Sequence, residues 1–231
     1  MKIHNVFIAA LGSEIQYYNA LVRSLDSSLG NMLEKLAMSI AKLSFDVHKS
    51  VEGPLTIEQT QQIAELLEKY KRREKRPRRE DYQFLRVKPE ASGLLNKRHD
   101  SDYYLIQKET GVHCLIELKI GGDLDNKKAR SEKEAILEQF AILSNVLQEN
   151  TQIEVYFATA YNRFGEGKPW LQERVKQFFA GEELLIGKDF WNFICQSDEG
   201  YETVLQAYRD NAYLIRDALE FIKGIYLGKN E

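Results

Sequence analysis

Glu117 and Lys119 stand two apart in the run Val112-His113-Cys114-Leu115-Ile116-Glu117-Leu118-Lys119-Ile120. Side chains alternate across a strand with a period of two. An extended run of this composition therefore puts Cys114, Ile116, Leu118 and Ile120 on an apolar face and projects Glu117 and Lys119 together from the other. Burying two opposite charges costs free energy unless they serve each other or a ligand. Asp102 opens the preceding extended segment, and the four-residue turn Lys108-Glu109-Thr110-Gly111 brings its carboxylate alongside Glu117.

Two carboxylates beside a lysine suit the hydrolysis of a phosphodiester. A polyanion repels carboxylates, so Asp102 and Glu117 belong next to a scissile phosphate only if they hold a divalent cation between themselves and it. Mg²⁺ suits hard oxygen ligands, polarises a phosphoryl oxygen and lowers the pKa of a bound water. Lys119 then positions or activates that water and stabilises the charge of the pentavalent transition state. The bare tripeptide is a weak signal: Glu166-Gly167-Lys168 and Asp125-Asn126-Lys127 have the same spacing. Both lie in glycine-rich or polar segments, so only the 117–119 copy has its geometry fixed by a strand.

The elements that position these residues are legible from periodicity. Tyr103–Gln107 and Val112–Ile120 read as an antiparallel pair. Ser131 with Glu134 reads as a capping box opening a helix that carries Ile136, Phe140, Leu143 and Leu147. A third strand over 153–160, reached through that helix, is expected to run parallel to the second by a right-handed crossover. Upstream, capping-box patterns at Ser13 with Gln16 and Thr56 with Gln59 predict helices near 14–25 and 57–74. Leu29, Leu33, Leu36, Ile40, Leu43 and Val47 predict another over about 27–49, ended by Gly53-Pro54. Helices near 170–179 and 201–227 close the chain, and Trp170, Phe190 and Trp191 are expected in the core. The fold expected is mixed α/β: one nuclease-type domain over 1–231, with a helical N-terminal region over 1–80, a catalytic α/β core over 81–160 and a helical C-terminal region over 161–231.

With 43% hydrophobic and 29% charged residues, the 231-residue chain is expected to fold rather than stay disordered. Its only cysteines, Cys114 and Cys195, lie in apolar runs and supply no disulfide framework or CxxC site, which fits a cytoplasmic home. The N-terminal apolar stretch is too short to span a bilayer, and no membrane segment is expected. The net charge of −3 conceals an asymmetry: residues 69–98 hold twelve cations against four acids, a net of +8, and the remainder carries −11. A charge run alone reads as a solvated face, yet one placed just before paired acids suits passing phosphates. Arg72, Arg73, Arg76, Arg78, Arg79, Lys97 and Arg98 are thus candidate DNA contacts. Asn126, Lys127, Lys128 and Arg130, just past the acidic strand, join them.

The run HDSDYYLIQKETGVHCLIELKIGGDLDNKKA resembles the catalytic core of PD-(D/E)xK restriction endonucleases, and its GGDLDNKKA extension is similar to the TdeIII family. SLDSSLGNMLEKLA at 24–37, AYNRFGEGKPW and LLIGKDFWNFIC agree with that family, so the resemblance covers most of the chain. It implies a divalent-metal-dependent type II enzyme cutting double-stranded DNA at a short palindrome of the GGNCC type, beside a methyltransferase that protects the host genome. It carries Asp102, Glu117 and Lys119 over as the catalytic triad, with no Pro before Asp102 and with Asp100 as a rival first acid. It also makes Glu34, on an N-terminal helix, a candidate auxiliary metal ligand. His99 and His113 stand at no zinc spacing and take no role; Gln139 reads as a helix-face residue near the site. The segment Gly181–Asp189 departs from a phosphate loop in its spacing and in Asp189, which excludes nucleotide binding. A two-fold homodimer would cut both strands of a palindrome, with the last helix or the N-terminal helices as its interface. The alternatives are a repair or junction nuclease with the same chemistry and a non-enzymatic DNA-binding module.

Overall fold

The computed structural model describes residues 6–86, 94–122 and 124–228, and within these leaves out the side chains of Leu94 and Asp102. The chain divides into two compact units, one from the described residues of Met1–Lys35 and Glu202–Glu231 and the other from Leu36–Tyr201. Helices α1 (Val6–Ala9), α2 (Ser13–Ser44) and α7 (Gly200–Leu227) supply the first unit, the last two reaching into the second.

The second unit is built on a five-stranded mixed sheet in the order β1-β2-β3-β4-β5. Its strands are β1 (Phe45–Thr56), β2 (Leu94–Gln107), β3 (His113–Lys119), β4 (Ile153–Thr159) and β5 (Leu184–Ile186). β1, β2 and β3 pair antiparallel, whereas β3–β4 and β4–β5 are parallel. Helix α4 (Asn126–Val146) connects β3 to β4, as the strand-helix-strand pattern predicts. A mixed sheet flanked by helices is consistent with the PD-(D/E)xK nuclease fold.

Several local expectations are corrected. The stripe that predicts one helix to residue 49 ends at Ser44, and Val47 belongs to β1, which pairs along its length with β2. Gly53 and Pro54 therefore lie inside a strand; β1 is at the sheet edge, where a missing N–H is tolerated. Gly53 is also required by packing, because a Cβ there would come within 2.8 Å of Ile142 and 2.9 Å of Val146 on α4. The helix opened by the Thr56–Gln59 box is as expected: α3 (Ile57–Lys71) begins with both reciprocal hydrogen bonds of the box in place. Ser131, by contrast, lies inside α4, since Asp125 caps it by accepting a 2.8 Å bond from the Lys128 N–H. The helix expected near 170–179 is the single turn α5 (Glu173–Lys176), and the C-terminal third of the chain also contains β5 and α6 (Lys188–Cys195).

Both faces of the sheet are covered. Leu115, Val155 and Phe157 pack with Leu137, Phe140 and Ala141 of α4 and with Ile63 and Leu67 of α3. On the opposite face Phe193 of α6 meets Phe45 and Tyr156 at ring separations of 5.5 and 5.3 Å. Trp170, Phe190 and Trp191 are buried, as expected.

β2 departs from regular alternation. Between His48 and Ser50 two steps along β1 answer to four along β2, from Tyr104 to Asp100. On one side of this irregularity Tyr104 packs into the α4-facing core; on the other, Lys97 and His99 reach Glu138 of α4. Tyr104 and His99 are five residues apart, so strict alternation would place them on opposite faces. The extra residues reset the strand, as β-bulges do beside many active sites. Ser101 and Asp102 sit within that stretch.

Candidate active site

β3 holds Glu117 and Lys119 on the face covered by α4. Leu115 on that face is fully buried, which anchors the strand, and the two charged residues follow toward its open end, both half-buried. The Lys119 ammonium is ion-paired to Glu117 and lies 3.3 Å from Oε1 of Glu132 on α4. One lysine is thus shared between a carboxylate of its own strand and one from the covering helix. Glu132 carries no signal in the sequence, because a glutamate in the second turn of a helix reads as solvated until the helix is known to lie on the lysine.

Asp102 stands in β2 one residue before Tyr103, whose partner is Ile116, itself one before Glu117. The β2–β3 pairing ends at that Tyr103–Ile116 step, with Asp102 the next residue of β2; its side chain lies outside the described residues. The rival Asp100 is almost fully exposed beside Arg98, 3.9 Å away. Glu34 is an exposed residue of α2 in the other unit.

A second polar group on the same helix also escapes sequence reasoning. Glu138, buried on α4, receives Lys97 Nζ at 3.0 Å on Oε1 and His99 Nε2 at 2.8 Å on Oε2. The His99 contact, and then Lys97, hold its carboxyl below the usual range, against the opposing push of burial. A depressed carboxyl contributes stability that is present above its unfolded pKa of about 4.3 and lost as pH falls through its lower folded value. The urea midpoint of the protein is therefore expected to drop below pH ~4.3, and Glu138→Gln is expected to flatten that drop. An unchanged acid limb in the variant would exclude Glu138 as its source. His99 thus has a structural partner, and His113 does too: the Tyr104 hydroxyl is 2.6 Å from its Nδ1, and burial, then His48, lowers its pKa.

Carboxylate and amide oxygens are the ligand types that suit a hard cation. Glu117 supplies a half-buried carboxylate, and the buried Gln139 amide, two turns along α4 from Glu132, has an Oε1 with no hydrogen-bond partner among the described residues. Among the described side chains, which do not include that of Asp102, no three His, Cys, Asp or Glu gather as a ready metal cluster.

The basic candidates separate by environment. Arg72, Arg73, Arg76 and Arg78 are exposed around the end of α3, where Arg73 adopts a left-handed φ of 59°. This stretch is tied down by Asp81, which accepts from the Tyr70 hydroxyl at 2.9 Å and the Arg78 N–H at 3.0 Å and pairs with Lys75 at 2.8 Å. Arg79 is half-buried, donates to the Glu182 carbonyl at 2.7 Å and lies over the Tyr156 ring, so its side chain is occupied in packing. Lys97 serves Glu138, and Arg130 lies within 3.6 Å of Glu68 and Glu134. Arg98, Asn126, Lys127 and Lys128 are exposed. Lys88, counted in the basic window, lies outside the described residues.

The model of a family described as type II restriction endonuclease, HinfI, matches residues 1–212. The chain belongs to the HinfI family of type II restriction endonucleases. The sequence motifs resemble the TdeIII family; the matching family is HinfI, and the two readings agree at the level of a type II restriction endonuclease. HinfI-family membership gives the chain a restriction endonuclease role and DNA as its substrate. No curated protein and no solved structure matches the chain. No described helix is long and apolar enough to cross a membrane.

Proposed function

We propose that this HinfI-family protein hydrolyses phosphodiester bonds of double-stranded DNA at a short palindrome, with Glu117, Lys119 and Asp102 as its catalytic residues and Mg²⁺ as cofactor. The observation that carries the reading is the Glu117–Lys119 pair, held half-buried on β3 with its lysine shared with Glu132 of α4. Glu117 and Asp102 would hold the cation; Glu34, the auxiliary candidate of the sequence, belongs to the other unit. When bound, it supplies Lewis-acid polarisation of the phosphate and acidifies a water. Glu117 would hold the cation from β3, whose neighbouring side chains are buried. Lys119 lies two residues on, where its ammonium stabilises negative charge developing on the phosphoryl oxygens. Releasing the lysine from its carboxylates is the reorganisation that substrate must drive.

The exposed arginines 72, 73, 76 and 78, with Arg98, Lys127 and Lys128, are the residues proposed to meet phosphates, while Asn126 is free to reach base edges. Arg79, Lys97 and Arg130 would act by fixing the surface rather than by touching DNA. The reading includes a homodimer, a single nuclease domain, a cytoplasmic setting and a methyltransferase of matching specificity. Incubating the purified protein with plasmid DNA in Mg²⁺ or EDTA tests it. Discrete Mg²⁺-dependent fragments are expected, and mapping their ends tests whether the site is of the GGNCC type. Smeared or branch-directed cutting would point to a repair nuclease, and a gel shift without cutting to a binding module.

A further inference from the structure

Thr159, the last residue of β4, stands beside Lys119 in the sheet. The parallel register pairs Leu115 with Val155, Glu117 with Phe157 and Lys119 with Thr159. Paired residues project from the same face, and Val155 and Phe157 pack into the core that α4 covers. Thr159 therefore shares with Lys119 the face on which Glu117 and Glu132 meet the lysine. It is fully buried, yet its Oγ1 has no hydrogen-bond partner among the described residues. Its methyl side is closed off by the segment after β3. A Cβ on Gly122 would come within 2.6 Å of the Thr159 Cγ2 and 3.1 Å of the Trp170 ring, and Gly122 has a left-handed φ of 66°.

A buried hydroxyl without a partner costs free energy, and valine would fill nearly the same volume on a strand without that cost. The hydroxyl has a use if a donor reaches it in another state of the site. The donor beside it in register is the Lys119 ammonium, held here by Glu117 and Glu132. An ammonium has three N–H groups, and one of them loses its acceptor once the Glu117 oxygens are taken up by a cation.

We propose that Thr159 is a positioning residue for Lys119, its Oγ1 accepting the N–H that Glu117 gives up. With Glu132 accepting a second N–H and a phosphoryl oxygen the third, the ammonium is fixed beside the phosphate. Thr159 touches neither substrate nor cation and acts only through the lysine. The inference rests on the reading of Glu117 and Lys119 as catalytic.

Urea unfolding without metal and single-turnover cleavage of plasmid DNA test the role together. In the wild-type background, Thr159→Val is expected to leave the urea midpoint unchanged or to raise it. In Glu117→Ala, where the lysine is already released, the same change is expected to lower the midpoint, and adding Lys119→Ala is expected to abolish that lowering. Cleavage by Thr159→Val is expected to slow about tenfold, the worth of one hydrogen bond to a charged group, with half-saturation by DNA unchanged. Thr159→Ser, which keeps the oxygen, is expected to restore the rate. Equal midpoint changes in the wild-type and Glu117→Ala backgrounds, or wild-type cleavage by Thr159→Val, overturn the proposal. A wild type that cuts no DNA while the midpoints behave as expected would sink the nuclease reading and leave the lysine–threonine contact standing. Cleavage abolished by Glu117→Ala and Lys119→Ala but untouched by Thr159→Val would do the reverse.

Discussion

Lys119→Ala and Glu117→Ala are each expected to lower single-turnover cleavage of plasmid DNA by about 10³-fold or more, equivalent to ~4 kcal/mol of transition-state stabilisation. The size follows from position. Both groups are held on a strand whose neighbouring side chains are buried, and the one adjacent acid, Glu132, comes from the covering helix rather than from the strand that places Glu117. Lys119→Arg is expected to rescue little, because a planar guanidinium cannot occupy a slot built for a compact ammonium between two carboxylates. Lys168→Ala is the matched control: it belongs to the loop copy of the same tripeptide, where Glu166 accepts from the Lys188 N–H at 3.3 Å rather than facing a strand lysine. Rates within tenfold of wild type for both alanine variants would remove β3 from the chemistry.

The largest expected effect on stability lies elsewhere in the sheet unit. Glu183→Ala should destabilise the protein by about 3–5 kcal/mol, a large share of a typical domain's total. Lys133 is fully buried on α4, its Nζ 2.7 and 2.8 Å from the two Glu183 oxygens and under 5 Å from the centres of the Tyr82 and Phe179 rings. Glu183 also accepts from the Tyr82 hydroxyl at 2.8 Å and the Ala180 N–H at 2.7 Å. Burial pushes the lysine below its usual pKa, and Glu183 opposes that push. Removing the acid strands a cation in an aromatic cage, whereas replacing both partners with Met and Leu should cost far less. Urea unfolding of the single and double variants measures the difference. Equal losses in both would mean that packing, and not the charge pair, sets the stability.

How far the sequence discloses this molecule depends on whether a signal is local. β3, the turn before it, β4 and α4 are legible because alternation and helical stripes are properties of one segment. β1 is hidden by a coincidence: Val47 falls in step with the leucines of α2, and only pairing with β2 shows that the helix has ended. The first half of β2 is hidden by its irregularity, which breaks the very alternation that identifies a strand. In the site, Glu117 and Lys119 announce themselves through spacing on one strand. Glu132 and Glu138 do not, since their meaning comes from which side of α4 lies against the sheet. The Lys133–Glu183 pair, fifty residues apart, has no sequence signature at all.

The reset in β2 also divides that strand into two reading frames. Upstream, odd-numbered residues address the helix layer; downstream, even-numbered ones do. Exchanging one amino acid for another near Arg98 or Asp100 leaves this grammar intact. Losing or gaining a single residue between them and Tyr104 would turn Lys97 and His99 toward the wrong layer while leaving the hairpin untouched. Variation in length, rather than in chemistry, is what this stretch of the protein is least able to absorb.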